Sequence, residues 1–348
     1  MVKKRIILAM PKHNDIFAEI IKNLEYYQFD VTFVDSNPKY IKNFRYKNVL
    51  DRIFHLVRKI FFRDYSYKHL LKEKLLVDNT KMYLSSKLYD YALIIRPDTY
   101  PLKLLQLIKT RVTKSMIGYQ WDGLTRFPAV LATIDLFDSF YVFDSNDIQN
   151  NDFKKFHLSG ITNFYFDVNK PEPISHTGKI AYFVGSHIDE RISAIDSCAF
   201  ELNKNNIQLK FIIPTDDPWK ISKYKQKNLI TFGAKNKLSF HENISNINYS
   251  DILVDIVNPI HHGLSFRVFE ALYYQKKLIT TNPFVQYYDF FHPNNIMIWE
   301  KQNYNFLSEF LAKPMVIIDS EIIQKYSFGN WIKNILNLDS YQKITLPQ

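Results

Sequence analysis

One cysteine, Cys198, stands in a chain of 348 residues, so no intrachain disulfide can form and the sequence reads as that of a reducing compartment. No stretch approaches eighteen consecutive apolar residues, and no membrane-spanning helix is expected. The opening MVKKRIILAMPK has a short apolar run and no small-residue cleavage site, so no signal peptide is expected. Internal repeats and low-complexity tracts are missing. So are a zinc-finger spacing, a KH-like glycine motif and an aromatic sheet signature, and nucleic acid is not an expected partner. No G-x-G-x-x-G follows the first strand, which argues against a dinucleotide enzyme. No D-x-D pair offers itself to a divalent ion, and no cofactor lysine stands out. His261 and His262 are adjacent, cannot share one face of a helix or strand, and lack a third ligand nearby. Neither a metal nor a cofactor is expected.

What is present is apolar mass and positive charge. Hydrophobic residues make up 46% of the chain, enough for two domains or one large one, and the formal net charge is +10. A basic balance suits an acidic partner such as nucleotide phosphate or anionic lipid. Most of the charge falls in 38–74, with eleven Lys or Arg against three Asp or Glu, a local balance of +8. Inside it, Ile53, Val57, Ile60 and Phe61 share a helical face, while Arg52, Lys59 and Arg63 lie largely away from it. A basic amphipathic helix of this kind either rests on an anionic membrane surface or packs on its own domain with a solvated basic side.

The order of elements is α/β. Arg5 to Met10 reads as a buried strand, Asn14 as the cap of a helix from Asp15 to Tyr27, and Phe29 to Val34 as the next, parallel strand. His13 lies in the loop at the carboxyl end of the first strand, where open α/β sheets bind ligands, and is a candidate for the acceptor site and its chemistry. Lys68 to Leu88 reads as helix with Leu71, Leu75, Leu76, Met82 and Leu88 on its buried side. Strands follow at Tyr91 to Arg96, Ser115 to Gln120, Ser139 to Asp144 and Ile161 to Phe166. The loop Gln120-Trp121-Asp122-Gly123-Leu124-Thr125-Arg126 ends one of them. Asp122 there can accept a proton from an acceptor hydroxyl, orient it, or bind the acceptor sugar. Trp121 suits stacking on a sugar face, and Arg126 suits pairing with Asp122 or a charged substrate. The alternative is a turn held by an Asp side chain on backbone N–H groups. Asp98 and Asp144 suit strand-end capping.

The polar stretch 169–178, with two prolines, reads as a linker between a first domain (1–168, with a basic helical insertion at 38–88) and a second (179–325). The strand, glycine turn and helix pattern restarts at Lys179. Gly185 lets the backbone approach a ligand, and Arg191, just inside the next helix, can neutralise a phosphate. Ile252 to Val257 is an apolar strand broken only by Asp255, and it runs into PIHHGLSFRVFEALYYQKKLITTN, residues 259–282. Pro259 and Gly263 punctuate a turn, and Leu264, Val268, Ala271 and Leu272 recur at helical spacing. Arg267 and Glu270 then stand in the first turns of a helix whose free N–H groups face the turn, a place for an anion. An arginine for phosphate and a carboxylate for a sugar diol suit a nucleotide-linked ligand; an i,i+3 salt bridge is the plain alternative. One of the two histidines suits a phosphate or hydroxyl, the other a structural part.

GLSFRVFEALYYQKKLITTN resembles the segment by which GT-B glycosyltransferases of bacterial polysaccharide and lipopolysaccharide synthesis hold their sugar nucleotide. In that family a glycine-rich loop enters a helix with Glu followed by E-A-x-x-x-x-K-x-(L/V)-I-(T/S), and the likeness covers roughly 180–340. It implies two Rossmann-like domains facing each other across a cleft, with a C-terminal helix in 326–348 crossing back to the first. It implies that Glu270 binds the ribose hydroxyls, with Gly185, Arg191, His262, Gly263, Leu264 and Arg267 around the donor, and Trp121 and Arg126 around the acceptor. Where the common retaining family has a second Glu, this chain has His261 and His262, which leaves retention or inversion open. The activity implied is metal-independent transfer from a UDP, GDP or CMP sugar to a surface glycan, capsule or lipid-linked acceptor. The place implied is the cytoplasm or the inner face of its membrane. An epimerase, a phosphorylase and a noncatalytic sugar- or lipid-binding module are the alternatives.

Overall fold

The computed structural model describes residues 3–12, 15–172, 177–258 and 262–347. His13, Asn14, Pro259 and His261 lie outside them, as does 173–176 of the expected linker. Lys4–Met10 (β1) opens the first sheet, and Ile6 to Met10 are completely buried, as a strand covered on both faces requires. It is followed by Phe29–Asp35 (β2), Tyr89–Ile95 (β3), Val112–Gln120 (β4), Ser139–Val142 (β5) and Leu158–Gly160 (β6). The second sheet holds Ile180–Val184 (β7), Gln208–Ile213 (β8), Ile230–Phe232 (β9), Ile252–Asp255 (β10), Lys277–Thr280 (β11) and Ile296–Ile298 (β12). Every pairing in both sheets is parallel.

The first sheet has the order β2-β1-β3-β4-β5-β6 and the second β12-β11-β10-β7-β8-β9. The order in which strands are added reverses between β1 and β3 in one and between β7 and β10 in the other. Crevices for ligands open at the carboxyl ends of such strand pairs. The loops after β1, β3, β7 and β10 are thus the places to look for chemistry.

The helices are Ile16–Tyr26 (α1), Lys39–Lys42 (α2), Val49–Phe61 (α3), Ser66–Leu84 (α4), Leu102–Lys109 (α5), Ser145–Gln149 (α6) and Ile192–Lys204 (α7). Pro218–Ser222 (α8), Phe240–Asn248 (α9), Phe266–Tyr273 (α10), Leu307–Ala312 (α11), Ser320–Lys325 (α12) and Phe328–Ile335 (α13) complete them. α1 buries Ile20 and Leu24 but starts from Asp15 in a left-handed conformation, without a side-chain cap.

Several expectations are corrected. Residues 161–166 do not form a strand. Tyr165 exchanges backbone hydrogen bonds with the C-terminal segment instead, Tyr165 N to Tyr326 O at 3.1 Å and Phe328 N to Tyr165 O at 2.8 Å. In α4 the inward side is Leu76, Thr80 and Leu84, while Met82 and Leu88 are exposed, Leu88 because the helix has already ended. The strand from Ser139 stops at Val142, and Asp144 caps α6. The last helix is shorter than 326–348 and ends at Ile335.

That last helix packs on the first sheet. The Trp331 indole donates to Thr162 O at 2.9 Å and meets Tyr119 of β4 edge-on at 5.2 Å. A Cβ on Gly329 would stand 2.1 Å from the Tyr27 ring, so only glycine lets α13 come this close. One cluster of buried side chains runs from Ile6 and Tyr119 through Phe164 and Phe166 to Leu253 and Leu278, joining the two sheets.

Candidate functional site

Between the sheets' carboxyl ends lies a cleft of two adjoining compartments, about 410 Å³ and 290 Å³, within the range of small-molecule sites. Ile16, Arg191, Asp255, Ser265 and Phe266 line both. The larger adds Pro11, Arg96, Trp121 and Asp122 from the first sheet, and the smaller adds Asn243, Arg267 and Glu270 from the second. A separate apolar cavity on another face of α10, around Leu272, Met315 and Ile317, presents little polar chemistry.

The second-sheet side is built around buried charge. Asp255 ends β10 and accepts from Ser265 Oγ and from Thr280 Oγ1, both at 2.9 Å. Burial raises its pKa, against the pull of those bonds and of Arg191 and Arg267. Because the Ser265 hydroxyl turns to Asp255, it does not cap α10, and the first N–H groups of that helix have no side-chain acceptor among the described residues. Arg267 Nη2 donates to Asn243 Oδ1 at 3.1 Å and its guanidinium lies 4.9 Å from the Tyr182 ring centre. Its Nη1 is 3.2 Å from Glu270 Oε2 but not aligned for a hydrogen bond, so this donor is buried and unused among the described residues. Glu270 Oε1 also accepts from Asn243 at 3.4 Å, and burial raises the Glu270 pKa in spite of Arg267. The expected i,i+3 pair exists, but it is buried in the cleft wall. Arg191, from the turn entering α7, has its Nε buried with no partner among the described residues, and burial depresses its pKa. Unpaired buried donors are costly, and here they converge on one space.

The first-sheet side is a closed network. Arg96 ends β3 with a φ of 61°, a left-handed backbone rare outside glycine. Its guanidinium forks onto Asp98, Nε to Oδ1 and Nη2 to Oδ2 at 2.7 Å each, while Nη1 donates to Asp122. Arg126 donates to the other Asp122 oxygen at 3.4 Å, and the Phe127 ring lies beneath both arginines. Burial works against the charge on Arg96, but Asp98 and Asp122 outweigh it and its pKa is raised. Asp98 is therefore a side-chain ion pair rather than a strand-end cap. The turn after Asp122 is held by Asp147, which accepts the Leu124 N–H at 3.1 and 3.2 Å. Trp121 reaches across to Phe266 at 6.2 Å.

Of the residues expected at the site, Asp122, Trp121, Arg191, Gly263, Arg267 and Glu270 line the cleft. Arg126 is exposed at its rim. Gly185 sits beside Arg191, where an added Cβ would be 3.4 Å from its guanidinium. Gly263 serves the junction: a Cβ there would meet Phe143 at 2.3 Å and its carbonyl at 2.5 Å. Leu264 is core, and its carbonyl accepts from Asn163, which also receives the Tyr119 hydroxyl. His262 donates its backbone N–H to Asp144 and stacks its ring on Phe284 at 4.4 Å, away from the cleft lining. His13 and His261 lie outside the described residues. Sequence reasoning missed Arg96, Asn243, Ser265 and Asp255 as site residues. A charged residue closing an apolar strand at a switch point was the available signal for Arg96 and Asp255.

No family model and no curated protein matches the chain. Solved structures do. A glycosyltransferase from Rickettsia africae ESF-5 is similar with a TM-score of 0.51 at 11% identity, over 97% of this chain and 94% of that one. A putative UDP-N-acetylglucosamine 2-epimerase from Listeria monocytogenes is similar with a TM-score of 0.52 at 10% identity, over 99% and 100%. At such identity the likeness shows the fold: two parallel α/β sheets across a cleft, the GT-B fold.

Proposed function

We propose that this chain is a nucleotide-sugar glycosyltransferase that uses the second-sheet side of the cleft for the donor and the first-sheet side for the hydroxyl of a glycan or lipid-linked acceptor. The observation that carries this reading is the pair of buried guanidiniums with unused donors, Arg191 and Arg267, beside Glu270 and the uncapped start of α10. A nucleotide phosphate or diphosphate is the group such donors fit, and they stabilise the charge that grows on it as the glycosyl bond breaks. Glu270 accepts from the ribose hydroxyls, with Asn243 and Arg267 holding it in place. Across the cleft Asp122, fixed by Arg96, orients the acceptor hydroxyl and receives its proton, and Trp121 offers a face to the acceptor sugar. His13 is a further acceptor-side candidate. The nucleotide is UDP, GDP or CMP, and the site works in the cytoplasm without a resident cofactor.

The second reading is an epimerase, favoured by the likeness to the Listeria protein. A transfer enzyme needs room for two substrates, and the larger compartment, with Arg96, Trp121 and Asp122 across from the second sheet's residues, supports that reading. Incubation with a panel of nucleotide sugars, with and without glycan acceptors, separates the two. Nucleotide release matched by glycosylated acceptor supports transfer. An isomerised nucleotide sugar formed without acceptor overturns it.

A further inference from the structure

Helix α3 is mounted inside out. A helix packed on its own domain turns its apolar stripe inward. None of the residues of α3 is buried, and the least exposed are polar: Asp51, His55 and Arg58. These face the rest of the insertion. The Tyr67 hydroxyl donates to Asp51 Oδ1 at 2.8 Å, His55 Nδ1 meets the Tyr46 hydroxyl at 2.8 Å, and Arg58 pairs with Asp64. The apolar arc points outward instead, with Leu50 and Phe61 each 76% exposed, and Val49, Ile53 and Ile60 beside them. Arg52 and Lys59 on the helix and Arg63 just after it are all exposed, in a segment with a balance of +8.

We infer that α3 docks on the surface of a bilayer containing anionic lipid, its apolar arc among the acyl chains and the long exposed basic side chains of the segment reaching the phosphates. Charge selects this occupant: a second copy would press two strongly basic segments together. Position fits a membrane-facing cleft. α4 has 19 residues, about 28 Å of helix, and ends beside the start of β3. Its first turn, where Tyr67 holds α3, is therefore on the carboxyl-end side of the sheet, where the cleft opens. The inference goes beyond the reaction and holds for transfer or epimerisation alike.

Sedimentation of the full chain with vesicles tests it. Wild type should pellet with phosphatidylcholine–phosphatidylglycerol vesicles and far less with phosphatidylcholine alone. Leu50→Ser, Ile60→Ser and Phe61→Ser together should weaken that binding by on the order of 10²-fold or more. Arg52→Gln, Lys59→Gln and Arg63→Gln together should weaken it about 10²-fold and remove the preference for anionic lipid. All six positions are exposed, so the melting temperature should not move, and Arg58 is left alone because it holds the helix. Wild type remaining in the supernatant overturns the inference, as does serine-variant binding equal to wild type. A dimer in light scattering that Phe61→Ser dissolves assigns the face to a second copy and overturns it too.

Discussion

The two walls of the cleft hold the same kinds of residue in opposite states. On the first-sheet wall, Arg96, Asp98, Asp122 and Arg126 are joined in one network, and every acid there has an arginine. On the second-sheet wall, Arg191 and Arg267 are buried near Asp255 and Glu270 yet each keeps a donor without a hydrogen-bond acceptor among the described residues. A satisfied network holds its shape and gains little from a charged ligand. An unsatisfied one relaxes only when an anion arrives. It is this difference in wall state, not residue type, on which the proposed division of the cleft between phosphate and hydroxyl rests.

The largest break in that contrast should come from Arg267→Ala. It leaves Glu270 buried without its cation, costing roughly 3–5 kcal/mol of stability, and lowers turnover by roughly 10²–10³-fold. Arg267→Lys should retain more of both, because an ammonium keeps the charge but not the fork. Calorimetry and kcat/KM check this; equal activity of both variants and wild type removes Arg267 from the donor wall.

On the opposite wall Asp122→Asn should lower kcat by about 10²-fold, the small end of general-base loss, because Arg96 and Arg126 already share its oxygens. Nucleotide affinity should stay unchanged. A parallel loss of affinity would mean that the walls are not divided as argued. Glu270→Gln comes next, weakening nucleotide-sugar binding about tenfold by titration calorimetry with the fold intact. Unchanged affinity would leave the buried i,i+3 pair as structure only.

The smallest effect sharpens the first-sheet side. Asp147, behind the Asp122 turn, is pushed up to about 7 by burial, the Leu124 N–H pulling back and Asp144 pushing further. Unfolded, it ionises near 3.8, so between those values the folded state holds a proton that the unfolded state has lost. Its contribution to stability is complete below that window, falls as pH rises through it, and is level above. Asp147→Asn should therefore melt above wild type by at least about 2 °C at alkaline pH, the gap closing toward the acid end. A gap that does not change with pH denies the shift.

Strand order in the chain and the α/β class were legible because buried parallel strands are short apolar runs with turns between them, as in the first strand, read as Arg5 to Met10 and found at Lys4–Met10. The run Ile161 to Phe166 looks the same, but its backbone partner is Tyr326 and Phe328, far along the chain, which no local pattern encodes. The motif around Glu270 was legible through spacing. The Arg96 network was not, because a fork between Arg96, Asp98 and Asp122 depends on two strands ending side by side. The apolar face of α3 could be read from its period, but not its direction: polar contacts to Tyr46, Asp64 and Tyr67 decide that.

The indole of Trp331 sits against β4 and donates to Thr162, a partner 169 residues earlier. During synthesis the first sheet is complete long before this side chain exists. At about 5–20 residues per second the gap is roughly 10–30 s. Through that time Tyr119, Phe164 and Tyr27 present an open aromatic socket that α13 later fills. The first sheet thus carries an unfilled apolar face until the last helix is made.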